Sequence, residues 1–368
     1  MHYTLPPQGR LIGAQLDRYV GDQLYWVLHA PRQTGKTTFL QTWMRELNAS
    51  GRCLACYVSI EACQGLADLD TAMPILSGAI REQAAKAGVP VPDAPTGPAG
   101  FQLSTLLSSW AAQVAPLPLV VLFDEVDVLE GQAMISFLRQ LRGGFATRGI
   151  GRFPVSVALV GMRDLKDYLV SAKDGRNVNP GSPFNIKHSS ATLGNFTRDD
   201  IAALYAQHTA ATGQAFGPDI PDLVYAWTSG QPWLVNALAE QCVYKTGLPA
   251  GTTLTAQHFA EARAALIRSR AVHIDNLAER LREPRVRRVL EPILIGDSGT
   301  ILQVTDPDVA YTMDLGLVAY TGEFTIANEI YREVLVRTLS LGYQQTMAKP
   351  EFRWQTPGGG LDMPALMT

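Results

Sequence analysis

The chain is poor in charge and in cysteine. Only 18% of its 368 residues are Asp, Glu, Lys or Arg, and the signs nearly cancel, with 31 basic against 34 acidic. The resulting net charge of −3 excludes a protein that coats nucleic acid through bulk charge and leaves room only for a local basic patch. There are four cysteines, Cys53, Cys56, Cys63 and Cys242, too few for a disulfide scaffold. Cys53-x-x-Cys56 falls in an apolar, strand-like run, where residues three apart face opposite sides, so reduced thiols are expected rather than a metal or redox pair. No apolar run approaches the ~18 residues of a membrane span. The most apolar, Leu119 to Phe123, stops at Asp124. Met1 to Pro6 lacks the basic and apolar regions of a secretory signal. These absences lead to the expectation of a cytoplasmic protein without a membrane segment, and no internal repeat is visible.

What is present is a well-supplied core. Hydrophobic residues make up 46% of the chain, in the range of folded globular proteins. Length suggests two to three domains at roughly 150 residues each. The first half alternates short β-rich runs with longer helical ones, which is the pattern of an α/β layered domain. Strands are predicted at Tyr25–His29, Leu54–Ser59, Leu119–Phe123 and Val155–Val160, with a fifth between Phe184 and Leu193. Helices are predicted at Thr37–Leu47, Leu66–Ala87, Phe101–Val114 and Ala133–Thr147, and Pro74 is expected to kink or split the second of them. Gly88 to Gly100 and Lys173 to Ser182 read as loops.

The character changes near Phe196. Thr197-Arg198-Asp199-Asp200 offers a capping-box start, and helical spacing continues to about Ile267 without a clear strand. From about His273 helices give way to Leu317–Tyr320 and Glu323–Ile326, joined by Thr321-Gly322 as in a hairpin, and Asn328 caps a last helix. Helices followed by a hairpin suggest a winged helix. The domains expected are 1–195, 196–270 and 271–343, with 344–368 as a Pro- and Gly-containing tail or linker.

Ala30-Pro31-Arg32-Gln33-Thr34-Gly35-Lys36-Thr37-Thr38 directly follows the first strand and opens the first helix. It matches the phosphate-loop pattern G-x-x-x-x-G-K-[ST] except that Ala30 stands for the first glycine. Such a turn aims successive backbone N–H groups inward as a nest for phosphate oxygens, and the helix N-terminus adds positive potential there. Pro31, Arg32, Gln33, Thr34, Gly35, Lys36, Thr37 and Thr38 are therefore the expected nucleotide cradle. Gly35 allows close backbone approach, Lys36 reaches the β and γ phosphates, and Thr37 ligates Mg²⁺. Ala30 tightens the loop entrance but leaves these three intact.

The apolar strand Leu119–Phe123 runs into Asp124 and Glu125. With a phosphate loop upstream, it reads as the second half of a P-loop ATPase site. Asp124 is expected to hold Mg²⁺, mostly through water, and Glu125 to polarise the attacking water as general base. Asp127 reads as a solvated helix-start acid or a supporting one. Leu54–Ser59 lies between the two motifs in sequence. This order fits the class with a catalytic glutamate and an extra strand between the two site strands (the ASCE class). Arg163 follows the fourth strand, where it would face the γ-phosphate; an ion pair with Asp164 or Asp167 is the plainer reading. ATP is favoured over GTP because no Asn-Lys-x-Asp motif is present.

Three strings, Pro31 to Thr38, Gly230-Gln231-Pro232-Trp233-Leu234-Val235-Asn236 and Ile326-Ala327-Asn328-Glu329-Ile330-Tyr331-Arg332-Glu333, resemble prokaryotic AAA-like/STAND-related P-loop ATPases. The resemblance covers about residues 5 to 342. It implies an ATPase core, an α-helical lid and a winged helix. It also implies that Pro232 in the Gly-x-Pro turn contacts the nucleotide from the lid, although a plain N1 proline would look the same. Several relatives continue into a restriction-type nuclease domain, but no Asp…Glu-x-Lys core is recognisable here.

Arg268, Arg270, Arg280, Arg282, Arg285, Arg287 and Arg288 crowd one stretch. They could grip phosphates, line a solvated helix face, or meet an acidic neighbouring subunit. The expected recognition segment, Val304 to Leu317, carries Asp306, Asp308 and Asp314 and no Lys or Arg, which argues against base reading. Arg176, Arg142, Arg148 and Arg152 are candidates for an arginine finger supplied to a neighbour. The expectation is an ATP- and Mg²⁺-dependent regulatory switch, of the kind used in bacterial defence or signalling, partnered by a second copy or a protein effector. Two alternatives stand beside it: a DNA-associated ATPase acting with a nuclease, and a nucleotide-locked scaffold with negligible turnover.

Overall fold

The computed structural model describes residues 3–12, 16–162, 189–245, 247–248, 251–269, 279–296 and 302–346. The first part forms β1 (Leu11–Ile12), α1 (Leu16–Gly21), β2 (Tyr25–His29), α2 (Lys36–Ala49), β3 (Leu54–Ser59), α3 (Leu69–Lys86), α4 (Ala99–Val114), β4 (Leu119–Asp124), α5 (Gly131–Phe145), β5 (Ser156–Gly161) and β6 (Ser189–Leu193). This is an α/β fold built on a mostly parallel six-stranded sheet in the order β1-β6-β2-β5-β4-β3, with β1 antiparallel at one edge. β4 and β5 are buried along their whole length because helices cover both faces, which is why they read as unbroken apolar runs.

The two faces carry separate cores. On one, Leu76 and Ile80 of α3, Leu103 and Trp110 of α4, and Phe137 and Leu141 of α5 pack on Val121, Phe123 and Val157. On the other, Phe39, Leu40, Trp43 and Leu47 recur along α2 at helical spacing and bury against Trp26, Leu28 and Val160. Trp26 stacks on Tyr19 with ring centres 4.5 Å apart and meets Trp43 edge-on at 5.6 Å.

An extra strand does lie between the two site strands β2 and β4, as the ASCE class requires; it is β5, and Leu54–Ser59 occupies the outer edge beside β4. Sequence order and spatial order differ because right-handed crossovers return the chain to the middle of the sheet. Pro74 does not split its helix: α3 starts at Leu69, capped by the Asp68 carboxylate, and runs unbroken to Lys86. Pro74 is the sixth residue of the helix, so it forgoes one intrahelical bond, to the Asp70 carbonyl, without ending the helix.

After Gly194 the chain turns helical: α6 (Arg198–Thr212), α7 (Ile220–Thr228), α8 (Pro232–Glu240) and α9 (Ala256–Arg268). The expected capping box is present, with Thr197 accepting from the Asp200 amide and Asp200 from the Thr197 amide. Then follow α10 (Pro284–Ile295), α11 (Pro307–Asp314), a hairpin of β7 (Val318–Tyr320) and β8 (Phe324–Ile326), and α12 (Glu329–Thr346). Asn328 caps α12 by accepting from the Tyr331 amide at 2.9 Å.

These later elements share one core. Ile201, Val224, Leu234 and Phe259 from α6 to α9 are continuous with Val289, Val309, Val318, Ile330 and Leu335 from α10 onward. Arg263 of α9 adds a polar tie, lying over the Trp227 ring and pairing with Glu329 and Glu333 of α12 at 3.1 and 2.8 Å. Among the described residues, no helix is long and apolar enough to cross a membrane.

Candidate functional site

The site forms where β2 and β4 end on the same edge of the parallel sheet, the position at which open α/β sheets hold their ligands. β2 delivers Ala30 to Thr37 there, and β4 delivers Asp124 and Glu125. Gly35 takes φ +90°, a left-handed conformation that turns the chain into α2. No side chain caps the helix at that point and no acid lies in its first turn. The first-turn amides thus lack a side-chain acceptor, which is the local condition for binding an anion.

Lys36 folds back over the loop, donating to the carbonyls of Ala30 at 2.7 Å and Pro31 at 2.8 Å. Burial pushes its ammonium down to about 8, opposed by the nearby acids Asp124, Asp127 and Glu125. The Thr37 hydroxyl donates to Asp124 Oδ2 at 2.7 Å, so the two expected cation-binding residues are already in contact across α2 and β4. Asp124 is buried, and its Oδ1 accepts from the Glu125 amide at 3.0 Å. A hydroxyl and a carboxylate are hard oxygen donors of the kind Mg²⁺ takes. Among the described residues there is no cluster of three or more His, Cys, Asp or Glu able to hold a metal alone.

Glu125 sits in a left-handed conformation, φ +60°, directly after the strand. Its carboxyl is pushed up by burial and by the negative charges of Glu61, Asp124 and Asp127. Asp127 lies in the short turn that follows and backs onto the end of β5, 3.1 Å from where a β-carbon on Gly161 would stand.

Four successive loop residues each meet a different part of the chain. Pro31 is packed by Gly316, which has φ +73° between α11 and β7; a β-carbon on Gly316 would stand 2.8 Å from Pro31 Cβ and Cγ. Arg32 Nε donates to Met162 Sδ, just past β5, at 3.3 Å. The Gln33 carbonyl accepts from Gln231 Nε2 at 3.4 Å. The Thr34 carbonyl accepts from Arg10 Nη2 at 3.0 Å. Thr34 itself is buried and donates its hydroxyl to Pro31 O at 2.9 Å. Thr38 lies exposed in the first turn of α2.

The Gly230-Gln231-Pro232 turn therefore does reach the loop, though through Gln231. Its Nε2 touches Gln33 while its Oε1 caps α8 through the Leu234 amide at 2.7 Å. Pro232 is buried at the first position of α8. Gly230 is required here: its φ is +71°, and a β-carbon would fall 1.8 Å from the Phe196 carbonyl oxygen. Arg163 and Arg176 lie outside the described residues.

Sequence reading missed Arg10 and Tyr57. Arg10 lies 4.7 Å above the Phe196 ring, and burial holds its guanidinium below the usual range against the pull of Asp200. The Tyr57 hydroxyl donates to Asp124 Oδ2 at 3.1 Å. Neither carries a local signal, since each acquires its role from elements distant in sequence.

The arginine-rich stretch is largely paired within its own part of the fold. Arg280 pairs with Glu283 at 2.6 Å, Arg287 with Glu291 at 2.6 Å, and Arg288 with Asp306 and Asp308 at 2.7 and 2.9 Å. The Arg285 guanidinium lies 3.2 Å over the Tyr311 ring.

No protein-family model matches the chain, and no curated protein does. Among solved structures, a Walker-type ATPase of Pyrococcus abyssi is similar over 87% of this chain and 93% of its own, with a TM-score of 0.58 at 14% identity. Cdc6p from Pyrobaculum aerophilum aligns over 89% of this chain and 92% of its own at a TM-score of 0.48 and 16% identity. A RuvB mutant of Thermotoga maritima aligns over 87% and 93% at 0.46 and 12%. At such identities the likeness bears on architecture alone, and the architecture is that of a Walker-type P-loop ATPase.

Proposed function

We propose that the chain is an ATP-hydrolysing switch of the STAND/AAA-like type. The observation that carries this reading is the phosphate loop held at Pro31 by the helix–hairpin part and at Gln33 by the helical part. In this reading α6 to α9 are a lid and α10 to α12 a winged helix. A loop that reshapes around phosphate then alters its contacts to both.

The cradle works through this chain's own groups. The amides of the first turn of α2 donate to phosphate oxygens, and Lys36 leaves the carbonyls of Ala30 and Pro31 to meet the β and γ phosphates. Thr37 and Asp124 would hold Mg²⁺, which supplies charge neutralisation at the phosphates. Glu125 orients the attacking water and takes its proton; its raised pKa makes it a stronger base than an ordinary exposed carboxylate. Arg163 is proposed to contact the γ-phosphate and Pro232 to line the nucleotide from the lid.

The expected partner is a second copy or a protein effector. The internal pairing of Arg280, Arg287 and Arg288 supports this over DNA. The test is ATP turnover measured together with mass in solution. It is run without nucleotide, with ADP and with a non-hydrolysable ATP analogue, each with and without DNA. A change of mass or shape between ADP and the analogue, indifferent to DNA, supports the switch. Turnover stimulated by DNA with steep salt dependence overturns it in favour of a DNA-associated ATPase, and retained ADP without turnover in favour of a locked scaffold.

A further inference from the structure

Tyr57 stands on β3, the outer strand of the sheet, on the same face as Ser59, which is directly opposite Asp124 in the parallel register. Its amide donates to Met44 Sδ of α2 at 3.2 Å, and its hydroxyl donates to Asp124 Oδ2 at 3.1 Å. Thr37, also on α2, donates to the same oxygen at 2.7 Å. The contacts close a ring: α2 to β4 through Thr37, β4 to β3 through Tyr57, and β3 back to α2 through Met44.

A carboxylate oxygen offers two lone pairs. On Asp124, Oδ2 has both engaged, by Thr37 and Tyr57. Oδ1 has one partner among the described residues, the Glu125 amide at 3.0 Å. The phenol thus decides which oxygen of a buried carboxylate remains available.

We infer that Tyr57 is a positioning residue that fixes the Asp124 carboxylate with Oδ1 presented to the hydrated cation. The inference rests on the nucleotide and Mg²⁺ reading of the site. A tyrosine that merely satisfied its own hydroxyl would not affect cation binding.

The test uses Tyr57→Phe in the full chain, alone and combined with Asp124→Asn. Amide exchange without any nucleotide is the first readout. The Glu125 amide, whose acceptor is Asp124 Oδ1, should exchange about 10-fold faster in Tyr57→Phe, the effect of weakening one charge-assisted hydrogen bond. The amides of Val121 and Leu122 within β4 should not change. The second readout is the Mg²⁺ concentration that half-saturates ADP binding, expected to rise about 10-fold on the same grounds, while ADP binding in EDTA stays at the parent value. In the Asp124→Asn background, Tyr57→Phe should add nothing to either readout. Unchanged Glu125 exchange overturns the proposal, as does a Mg²⁺ effect that persists without the Asp124 carboxylate. A parent chain that binds no ADP at all would defeat the nucleotide reading instead, and the exchange readout would still decide the role of Tyr57.

Discussion

The strand-end site and the arginine-rich stretch are both dense in polar residues, yet they resolve oppositely. At the strand ends the groups converge from α2, β3 and β4, and the first-turn amides of α2 lack a side-chain cap. Along α10 two of the three arginines are matched by acids, Arg287 by Glu291 at helical spacing and Arg288 by Asp306 at the start of α11, and Arg285 lies over the Tyr311 ring. The difference shows that charge density by itself does not make a ligand site. What distinguishes the two is whether the fold supplies partners or withholds them.

The comparison breaks most sharply at Lys36. Lys36→Ala should weaken MgATP binding by about 100-fold or more in calorimetry, because it removes the only lysine of the cradle from a doubly charged ligand. Binding as tight as the parent's would end the ATPase reading. Glu125→Gln should leave binding intact and lower turnover by about 100-fold, the usual share of a general base, and bound ATP should accumulate.

Two pH effects sharpen the same site. The Lys36 ammonium sits at about 8, so raising pH past that value removes the charge that the phosphates require. Nucleotide affinity should fall by up to about 10-fold per pH unit above it, with proton uptake on binding visible in buffers of different ionisation enthalpy. Glu125 is shifted the other way: protonation reaches it at a higher pH than an ordinary glutamate, and turnover is lost as pH falls through that point. Glu61→Gln removes a like charge and should move the acid limb of the rate profile to lower pH.

Gly316→Val tests the contact at Pro31. The β-carbon meets Pro31 and the positive φ is strained, which should shift nucleotide release by about 10-fold through a cost of 1–2 kcal/mol, measured as ADP dissociation rate. Smallest of all is Arg288→Ala. Its ion pairs are exposed enough that stability should fall by no more than about 1 kcal/mol in thermal melts, with ATP turnover unchanged by DNA in parent and variant alike.

Much of this was written locally in the chain. The phosphate loop is nine consecutive residues, and Asp124 and Glu125 end the most apolar strand, so both arms of the site were legible from neighbours in sequence. The capping groups Thr197 and Asn328 were legible for the same reason. Tyr57 was not, because its run Leu54-Ala-Cys-Tyr-Val-Ser59 reads equally well with the ring in a core; only the pairing of β3 beside β4 turns the hydroxyl toward Asp124. Gln231 passed unnoticed beside Pro232, since its target, the Gln33 carbonyl, is a backbone atom. The common core of α6 to α12 was likewise hidden, for amphipathic spacing tells which face of a helix is buried but not against what.

The phosphate loop's four contacts have a thermodynamic corollary. Any ligand that binds one shape of the loop better than another must favour particular placements of the Arg10 segment, Met162, Gln231 and Gly316. By reciprocity, a protein that bound one of those placements better than another would change nucleotide affinity by the same factor by which nucleotide changes its own. Under the proposed function, ADP affinity measured with and without a candidate protein would therefore serve as a remote gauge of such engagement, whichever surface the candidate uses.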